Sequence, residues 1–456
     1  MPDLSSSPRA IWSLTWPQLL TMYFVFVIGF TDVWTAGRLG GEVQAALGMS
    51  TQCVMYLQVL ALALSSGALA CVSQSLGARR TRRACRYVGA TLLLVALLGL
   101  LVALAAVLLS DSLLRLLLIP DGIFALTRSL WAVAMYALPF QYLHAASGML
   151  FRATRQVLPP LWTGGAACLL NVAGDLGFGL GWFGLPACGG MGIVWSSFAS
   201  MALCALGNCL LLARSGYLRA DCLPTPRWLK AGAPYLLRVA ANAGAAQLLW
   251  QTGYLVLFVV VASLPRGSVD ALAGLTAGLR IEALLFMPAM AVNMSAAVVV
   301  GNLLGAGEAA RARQVGLTLV WAGAGAMTCV AACLWPFRQD LAALLAQDAG
   351  VLAQTVCYLE FNLLSTPFSV ASTIMSGVMT GAGATRYNVM IYGSTFWLVR
   401  LPLAFLLGHI IWKDASGVFA AMLISQVIQT ILMLRVAVRG RWTRFAMKQQ
   451  PASRPA

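Results

Sequence analysis

The sequence predicts an all-α integral membrane protein of twelve transmembrane helices arranged as two six-helix bundles. Three observations predict it. Of 456 residues, 60% are hydrophobic and 10% charged, with a mean hydropathy of +0.82, which is more apolar surface than a water-soluble core can hide. Apolar runs of about 20 residues, the length that crosses the hydrocarbon of a bilayer, recur along the whole chain. The chain also repeats itself: LGA at Leu76 to Ala78 returns at Leu304 to Ala306, and Pro139-Phe140 returns as Pro367-Phe368, both half the chain length further on.

The runs fall near 13–38, 44–71, 87–110, 123–149, 158–182 and 190–213 in the first half. The second half supplies 230–262, 271–303, 314–337, 351–380, 387–411 and 416–436. Six is even, so both halves enter the membrane from the same side, as parallel repeats related by an axis along the membrane normal. RSGYLRADCLPTPRWLK is the most polar connection. It divides the chain into an N-terminal six-helix bundle (1–213), a linker (214–229), a C-terminal six-helix bundle (230–436) and a basic tail (437–456). The opening MPDLSSSPRAIW lacks a basic stretch followed by a small-residue cleavage site, so the first span reads as retained. The context of the repeat also matches: VSQSLGARR pairs with VVGNLLGAGE, and ATR at Ala153 to Arg155 with ATR at Ala384 to Arg386.

A net charge of +16 raises the question of nucleic acid, and its placement answers it. Arg79, Arg80, Arg82, Arg83 and Arg86 follow span 2, Arg152 and Arg155 follow span 4, and Arg214, Arg219, Arg227 and Lys230 follow span 6. With Arg9, Arg311, Arg313, Arg386 and the tail, this side holds 21 of the 30 cations. The opposite side has Arg38, Arg115, Arg128, Arg266, Arg338 and Lys413. The excess predicts a multi-pass membrane protein with both termini in the cytoplasm, surrounded by membrane lipid and binding no nucleic acid. Eleven cysteines, most of them inside spans, read as small apolar core residues. With no C-x-x-C and with His144 far from His409, no resident metal is expected.

Ionisable groups inside a span cost a few kcal/mol at the bilayer centre, so each is a candidate for function. The first half has Asp32 and Asp175; the second has Arg238, Arg280, Glu282 and Arg400, with Glu360 a weaker addition. Asn171 and Asp175 are spaced i, i+4 and share one helix face. Asp32 and Asp175 both fall in the outer half of their spans, and Ser197, about 10 Å into span 6, reaches the same depth. Burial and mutual repulsion disfavour two charges at such a place, so a proton or Na⁺ is the natural visitor. Glu282 and Arg280 are two residues apart, on nearly opposite helix faces, which predicts that Glu282 pairs across spans, with Arg238 or Arg400 as its partner. Soft and aromatic side chains nearby suit apolar cations of varied shape. The candidate substrate cavity is lined by Trp34, Met55, Tyr136, Gln141, Gln251, Glu282, Phe286 and Met290.

In order and spacing, several strings resemble the multidrug and toxic compound extrusion (MATE) family of antiporters. They are D-x-x-x-x-G-x-x-G in span 1 (Asp32, Gly37, Gly40), the loop Gln74 to Ala78, N-x-x-x-D in span 5, G-x-x-G at Gly189 and Gly192, and GAGATR at 381–386. The resemblance covers nearly the whole chain. It implies two six-helix bundles in a V around a cavity that opens alternately outward and inward. It also implies a monomeric secondary transporter, not an enzyme, that needs no cofactor and exports small organic cations, drugs or metabolites in exchange for H⁺ or Na⁺. By position, Asp32, Asn171 and Asp175 match the family's cation-coupling site, where Na⁺ would also bind, and Ser197 matches its span 6 threonine. The family's span 4 tyrosine falls on Trp131, with Tyr136 one turn further on, and Ala384 stands where many members carry aspartate. The alternative within the same superfamily is a lipid-linked oligosaccharide flippase, which would use Arg238, Arg280 and Arg400 to hold a pyrophosphate.

Overall fold

The computed structural model describes residues 7–116, 121–219, 224–346, 348–439 and 441–447. The described chain is helical throughout and folds into two compact units, one spanning Trp12–Gly244 and the other carrying Ala245 onward.

In the first unit α1 is Pro8–Leu39, α2 Gly41–Gly77, α3 Thr81–Leu108, α4 Asp121–Ala153, α5 Leu158–Gly174 and α6 Gly190–Arg214. The chain continues through α7 (Pro226–Ala262), α8 (Ser268–Gly305), α9 (Ala309–Leu334), α10 (Ala349–Gly381), α11 (Thr385–Ser394) and α12 (Ala415–Arg439). Two of these run on through wider turns. α5 passes into a π-helical turn, Asp175–Gly179, and α11 into two more, Thr395–Arg400 and Leu406–Ile411, around a short α-helical stretch. With those turns added, α5 becomes the twelfth helical segment beside the eleven long and apolar enough to cross a membrane. The seam between the units lies inside α7. Its first turns belong to unit 1, where Trp228 packs edge-on against Tyr87 at 4.8 Å and the Tyr235 hydroxyl meets the Gln74 amide at 3.1 Å.

Small residues set the closest approaches, as expected where lipid supplies no hydrophobic drive for helix association. Gly377 and Gly381, one turn apart on α10, let the backbone of α8 at Asn293 and Ala297 come into contact. Gly192 does the same for α6 against the backbone of Phe178 and Gly179. Prolines inside α1, α4, α7, α8 and α10 (Pro17, Pro139, Pro234, Pro288 and Pro367) interrupt the hydrogen-bond ladder, and bundle packing tolerates them. Polar side chains join neighbouring helices: Thr163 donates to Asn208 at 2.6 Å, and Asn208 to Ser147 at 3.1 Å, tying α5, α6 and α4 together.

The repeat is most faithful at four helix ends. Each closes with the paired hydrogen bonds of a Schellman turn. Arg80 N reaches Ser75 O and Arg79 N reaches Leu76 O after α2; Gln156 N reaches Phe151 O and Arg155 N reaches Arg152 O after α4. The matching bonds after α8 run from Glu308 to Leu303 and Gly307 to Leu304, and after α10 from Ala384 to Met379 and Gly383 to Thr380. Every bond recurs at the half-chain offset that also separates the two LGA strings, whereas the two ATR strings are spaced more widely and lie three positions out of register. The turn needs one left-handed residue. The second half supplies Gly307 (φ 86°) and Gly383 (φ 73°), whereas the first places Arg79 (φ 56°) and Arg155 (φ 60°) there. A residue with a Cβ costs roughly 1–2 kcal/mol in that conformation, which glycine avoids.

Candidate functional site

α1, α5 and α6 bring four oxygen-bearing side chains together inside unit 1. The Asn171 amide donates to Ser197 Oγ at 3.1 Å and to Asp32 Oδ1 at 3.4 Å, and the Ser197 hydroxyl lies 3.4 and 3.5 Å from the two Asp32 oxygens. Asp175 lies one turn beyond Asn171, fully buried, with the Asp32 carboxyl as its charged neighbour. Neither of its oxygens receives a protein donor, and Asn171 Oδ1 is also buried without one. Buried polar groups almost always find partners, so this cluster holds acceptors in excess of donors. Such a set accepts a proton or an oxygen-seeking cation.

The local sequence explains how Asp175 gets there. It opens the π-helical turn, and insertion of one residue into a helical ladder re-aims the side chains at that point. Gly174, Gly177 and Gly179 allow it, because a Cβ at these positions would press on Ser196, Leu185 and Thr35. Gly189, with φ 59°, starts α6 so that Ser197 faces α5. Asp32 is only half-buried and so has a path to solvent. Two residues further along α1, Trp34 packs edge-on to Trp182 and lies under the Arg38 guanidinium at 4.5 Å.

The other sequence candidates separate by unit. In unit 1, Met55 and Tyr136 are exposed, and Gln141 accepts from the Gln58 amide at 2.7 Å, linking α4 to α2. Trp131, by contrast, is buried and donates to Ala106 O at 3.0 Å, so it ties α4 to α3. In unit 2, Glu282 and Phe286 line one recess with Leu285, Met327, Asn362, Thr366 and Ser369. Gln251 and Met290 are half-buried on α7 and α8, outside that lining.

Glu282 differs from its expected pairing. Its carboxylate accepts from the Tyr358 hydroxyl, and no ion pair joins it to an arginine among the described residues. Arg400 is already satisfied: it donates to Ser425 at 2.8 Å and Gln426 at 2.9 Å and lies over the Phe396 and Trp250 rings. A guanidinium held this way is a poor clamp for a pyrophosphate, while Arg238 and Arg280 are exposed. Glu360 forms an ion pair with Arg338 at 2.9 Å. Tyr358, Asn362, Ser425 and Gln426 are not among the sequence candidates, although Tyr358 and Asn362, one turn apart in YLEFN, mark a polar face on that span.

The MatE family model matches this chain twice, over residues 17–176 and again over 243–406, one copy in each half. The chain belongs to the MATE family. Members of this family are secondary transporters, not enzymes. The "Probable multidrug resistance protein NorM" of Neisseria meningitidis serogroup B is 26% identical over 446 residues, covering 95% of this chain and 94% of that protein. The multidrug resistance protein PmpM of Pseudomonas aeruginosa is 26% identical over 420 residues, covering 90% and 86%. Among solved structures, a Vibrio cholerae MATE transporter superposes with a TM-score of 0.87 at 19% identity, over 94% of this chain and 96% of that one. A MATE protein crystallised in a bent conformation gives 0.87 at 18% identity, with 97% of each chain covered. At these identities the structures establish the fold, twelve membrane helices in two bundles, and the sequence relatives establish a MATE multidrug transporter as the class of function.

Proposed function

We propose that this MATE protein exports small organic cations by alternating access and that the antiported ion, H⁺ or Na⁺, binds at Asp32, Asn171, Asp175 and Ser197. The observation that carries the reading is the pairing of two acids, a fully buried Asp175 whose oxygens lack a protein donor and the half-buried Asp32 beside it. Two negative charges there repel unless a cation intervenes. A proton removes one charge; Na⁺ balances one and takes the free oxygens of Asn171 and Asp175 as ligands. An organic cation drawn to the same acids competes with that ion, and competition between two ligands for one charge is the coupling an antiporter needs. Trp34, Met55, Tyr136 and Gln141 in unit 1, and Gln251, Glu282, Phe286 and Met290 in unit 2, supply soft walls that repack around cargo of different shapes.

The functional division proposed is an N-terminal bundle (1–213), a linker (214–229), a C-terminal bundle (230–436) and a tail (437–456), working as a monomer in a bacterial inner membrane with both termini cytoplasmic. A reporter that is active only in the cytoplasm checks the orientation: it is active when fused at the C-terminus and silent when placed near Arg266. Transport is tested by expression in a bacterium lacking its own efflux pumps, where accumulation of a cationic dye falls below that of an empty-vector strain. Equal accumulation at verified expression overturns the export reading.

A further inference from the structure

Arg338 and Arg400 both lie over aromatic rings, and both also meet oxygens: Arg338 pairs with Glu360 at 2.9 Å, and Arg400 donates to Ser425 and Gln426. Arg38 is different. Its guanidinium lies 4.5 Å from the centre of the Trp34 ring, and among the described residues it meets no acid and no hydrogen-bond acceptor. Glu42 follows four positions on, but the chain breaks between them at Gly40 (φ 122°), so the usual i, i+4 pairing is not made. The face of an indole is thus the partner of an exposed cation.

That face belongs to a shaped corner of unit 1. Trp34 is exposed, and Trp182 stands edge-on to it, ring centres 6.5 Å apart. The turn that presents Trp182 is closely specified: Gly181 (φ 77°) and Gly184 (φ 73°) flank it in left-handed conformations, and Cys188 N returns to Phe178 O at 2.7 Å. Phe183 adopts φ 60° there despite its Cβ, and strained backbone of this kind gathers at ligand clamps. Along α1 the ring surface continues at four-residue intervals through Phe30, which is exposed, to Phe26, stacked on it at 6.4 Å. A row of rings that ends beneath a guanidinium is chemistry for a flat or bulky cation.

We propose that the face of Trp34, edged by Trp182, is a subsite for the organic cation, and that Arg38 is its internal competitor. Two cations on one ring face repel, so cargo takes the ring as Arg38 leaves it. The fraction of time that Arg38 spends over the ring lowers the apparent affinity by the same fraction, which keeps cargo releasable. This rests on the reading that the cargo is an organic cation, but it needs neither the coupling ion nor a gradient.

The test is direct binding of tetraphenylphosphonium to the purified full-length protein in a neutral detergent, with triphenylphosphine oxide as a probe of similar aromatic surface and no charge. Arg38→Gln binds tetraphenylphosphonium about threefold more tightly, and Trp34→Leu about threefold more weakly. In the Trp34→Leu background, Arg38→Gln brings no gain. Trp34→Phe falls between wild type and Trp34→Leu, because a smaller ring holds a cation less well, and it keeps the test open should Trp34→Leu lower the melting temperature. Triphenylphosphine oxide binds wild type and Arg38→Gln equally. Wild-type binding that neither Trp34 nor Arg38 substitutions alter overturns the subsite and leaves the export reading standing, whereas a wild type that binds no tetraphenylphosphonium overturns both. A gain from Arg38→Gln that persists without the Trp34 ring overturns the ring as the place of competition. An equal gain for the neutral probe overturns charge as its cause.

Discussion

Asp175→Asn isolates the charge of the proposed coupling cluster while preserving its shape. Asp175 is fully buried against Asp32, and its oxygens lack donors. Two unit charges about 4 Å apart at an effective dielectric of about 20 interact by about 4 kcal/mol. Asp32 is half-exposed, so water screens part of this, and about 2 kcal/mol is the proper scale for what the second carboxylate adds to the pull on a cation. That corresponds to a roughly 30-fold loss of affinity for the coupling ion. By reciprocity, whatever influence the ion loses over the organic cation, the organic cation loses over the ion. The amide also donates to Asp32, so the variant folds as well as wild type or better. Dye efflux from proteoliposomes under an imposed pH or Na⁺ gradient, at matched protein density, should drop to the level of empty vesicles while the melting temperature holds. Full gradient-driven efflux by Asp175→Asn would refute the coupling cluster. Loss of efflux accompanied by loss of folding would refute the claim that the carboxylate is a cost to stability.

Three further outcomes follow from the geometry. Glu282→Gln keeps an acceptor for the Tyr358 hydroxyl, so gradient-driven efflux falls less than in Asp175→Asn, and Tyr358→Phe lowers stability by about 1–2 kcal/mol in chemical denaturation; the reverse order of effects in efflux would move coupling to unit 2. Gly192→Ala forces α6 away from the backbone of Phe178 and Gly179, costs about 1–3 kcal/mol and carries Ser197 with it, so both melting temperature and coupled efflux decline. Asp414, outside the spans, caps the start of α12: partial burial raises its pKa, but hydrogen bonds from Ser416 and the Ala415 backbone outweigh that and hold it below the usual carboxylate range. A depressed folded-state pKa stabilises above the unfolded value of about 3.9 and ceases to do so as pH falls through the folded value. The melting-temperature gap between wild type and Asp414→Ala, set by about 1 kcal/mol at neutral pH, should therefore close on acidification below pH of about 4.

The architecture was legible because lipid imposes length and hydropathy on each span and because the duplication left matching strings half a chain apart. Spacing of i, i+4 and depth placed Asp32, Asn171, Asp175 and Ser197 at one level but not side by side; the structure joins Asp32, Asn171 and Ser197 by hydrogen bonds, with Asp175 one turn beyond Asn171. The π-helical turn at Asp175 was not legible, since one inserted residue hardly alters a hydrophobic period measured over a whole span. Nor was the partner of Glu282. A carboxylate in a span needs some partner, but sequence does not rank a tyrosine hydroxyl against a guanidinium when the two lie on different helices. The ATR strings misled on register because three matching letters carry less information than the turn hydrogen bonds that fix it.

Once the register is set by those turns, the divergence of the halves acquires a physical sense. The same half-chain offset carries Asn171 and Asp175 onto Val399 and Leu403, which flank Arg400. One half therefore buries acids with unmet demand at this level of the helix, and the other buries a cation whose donors are met by Ser425 and Gln426 and whose face is covered by aromatic rings. An unmet group responds to an ion in solution, whereas a satisfied one stays put. The asymmetry is what the proposed antiport needs, with an ion-responsive cluster in unit 1 and a fixed polar core in unit 2, while the shared Schellman turns keep both halves on one backbone plan. Duplication supplied the scaffold twice. Charge was then free to change wherever the backbone did not depend on it.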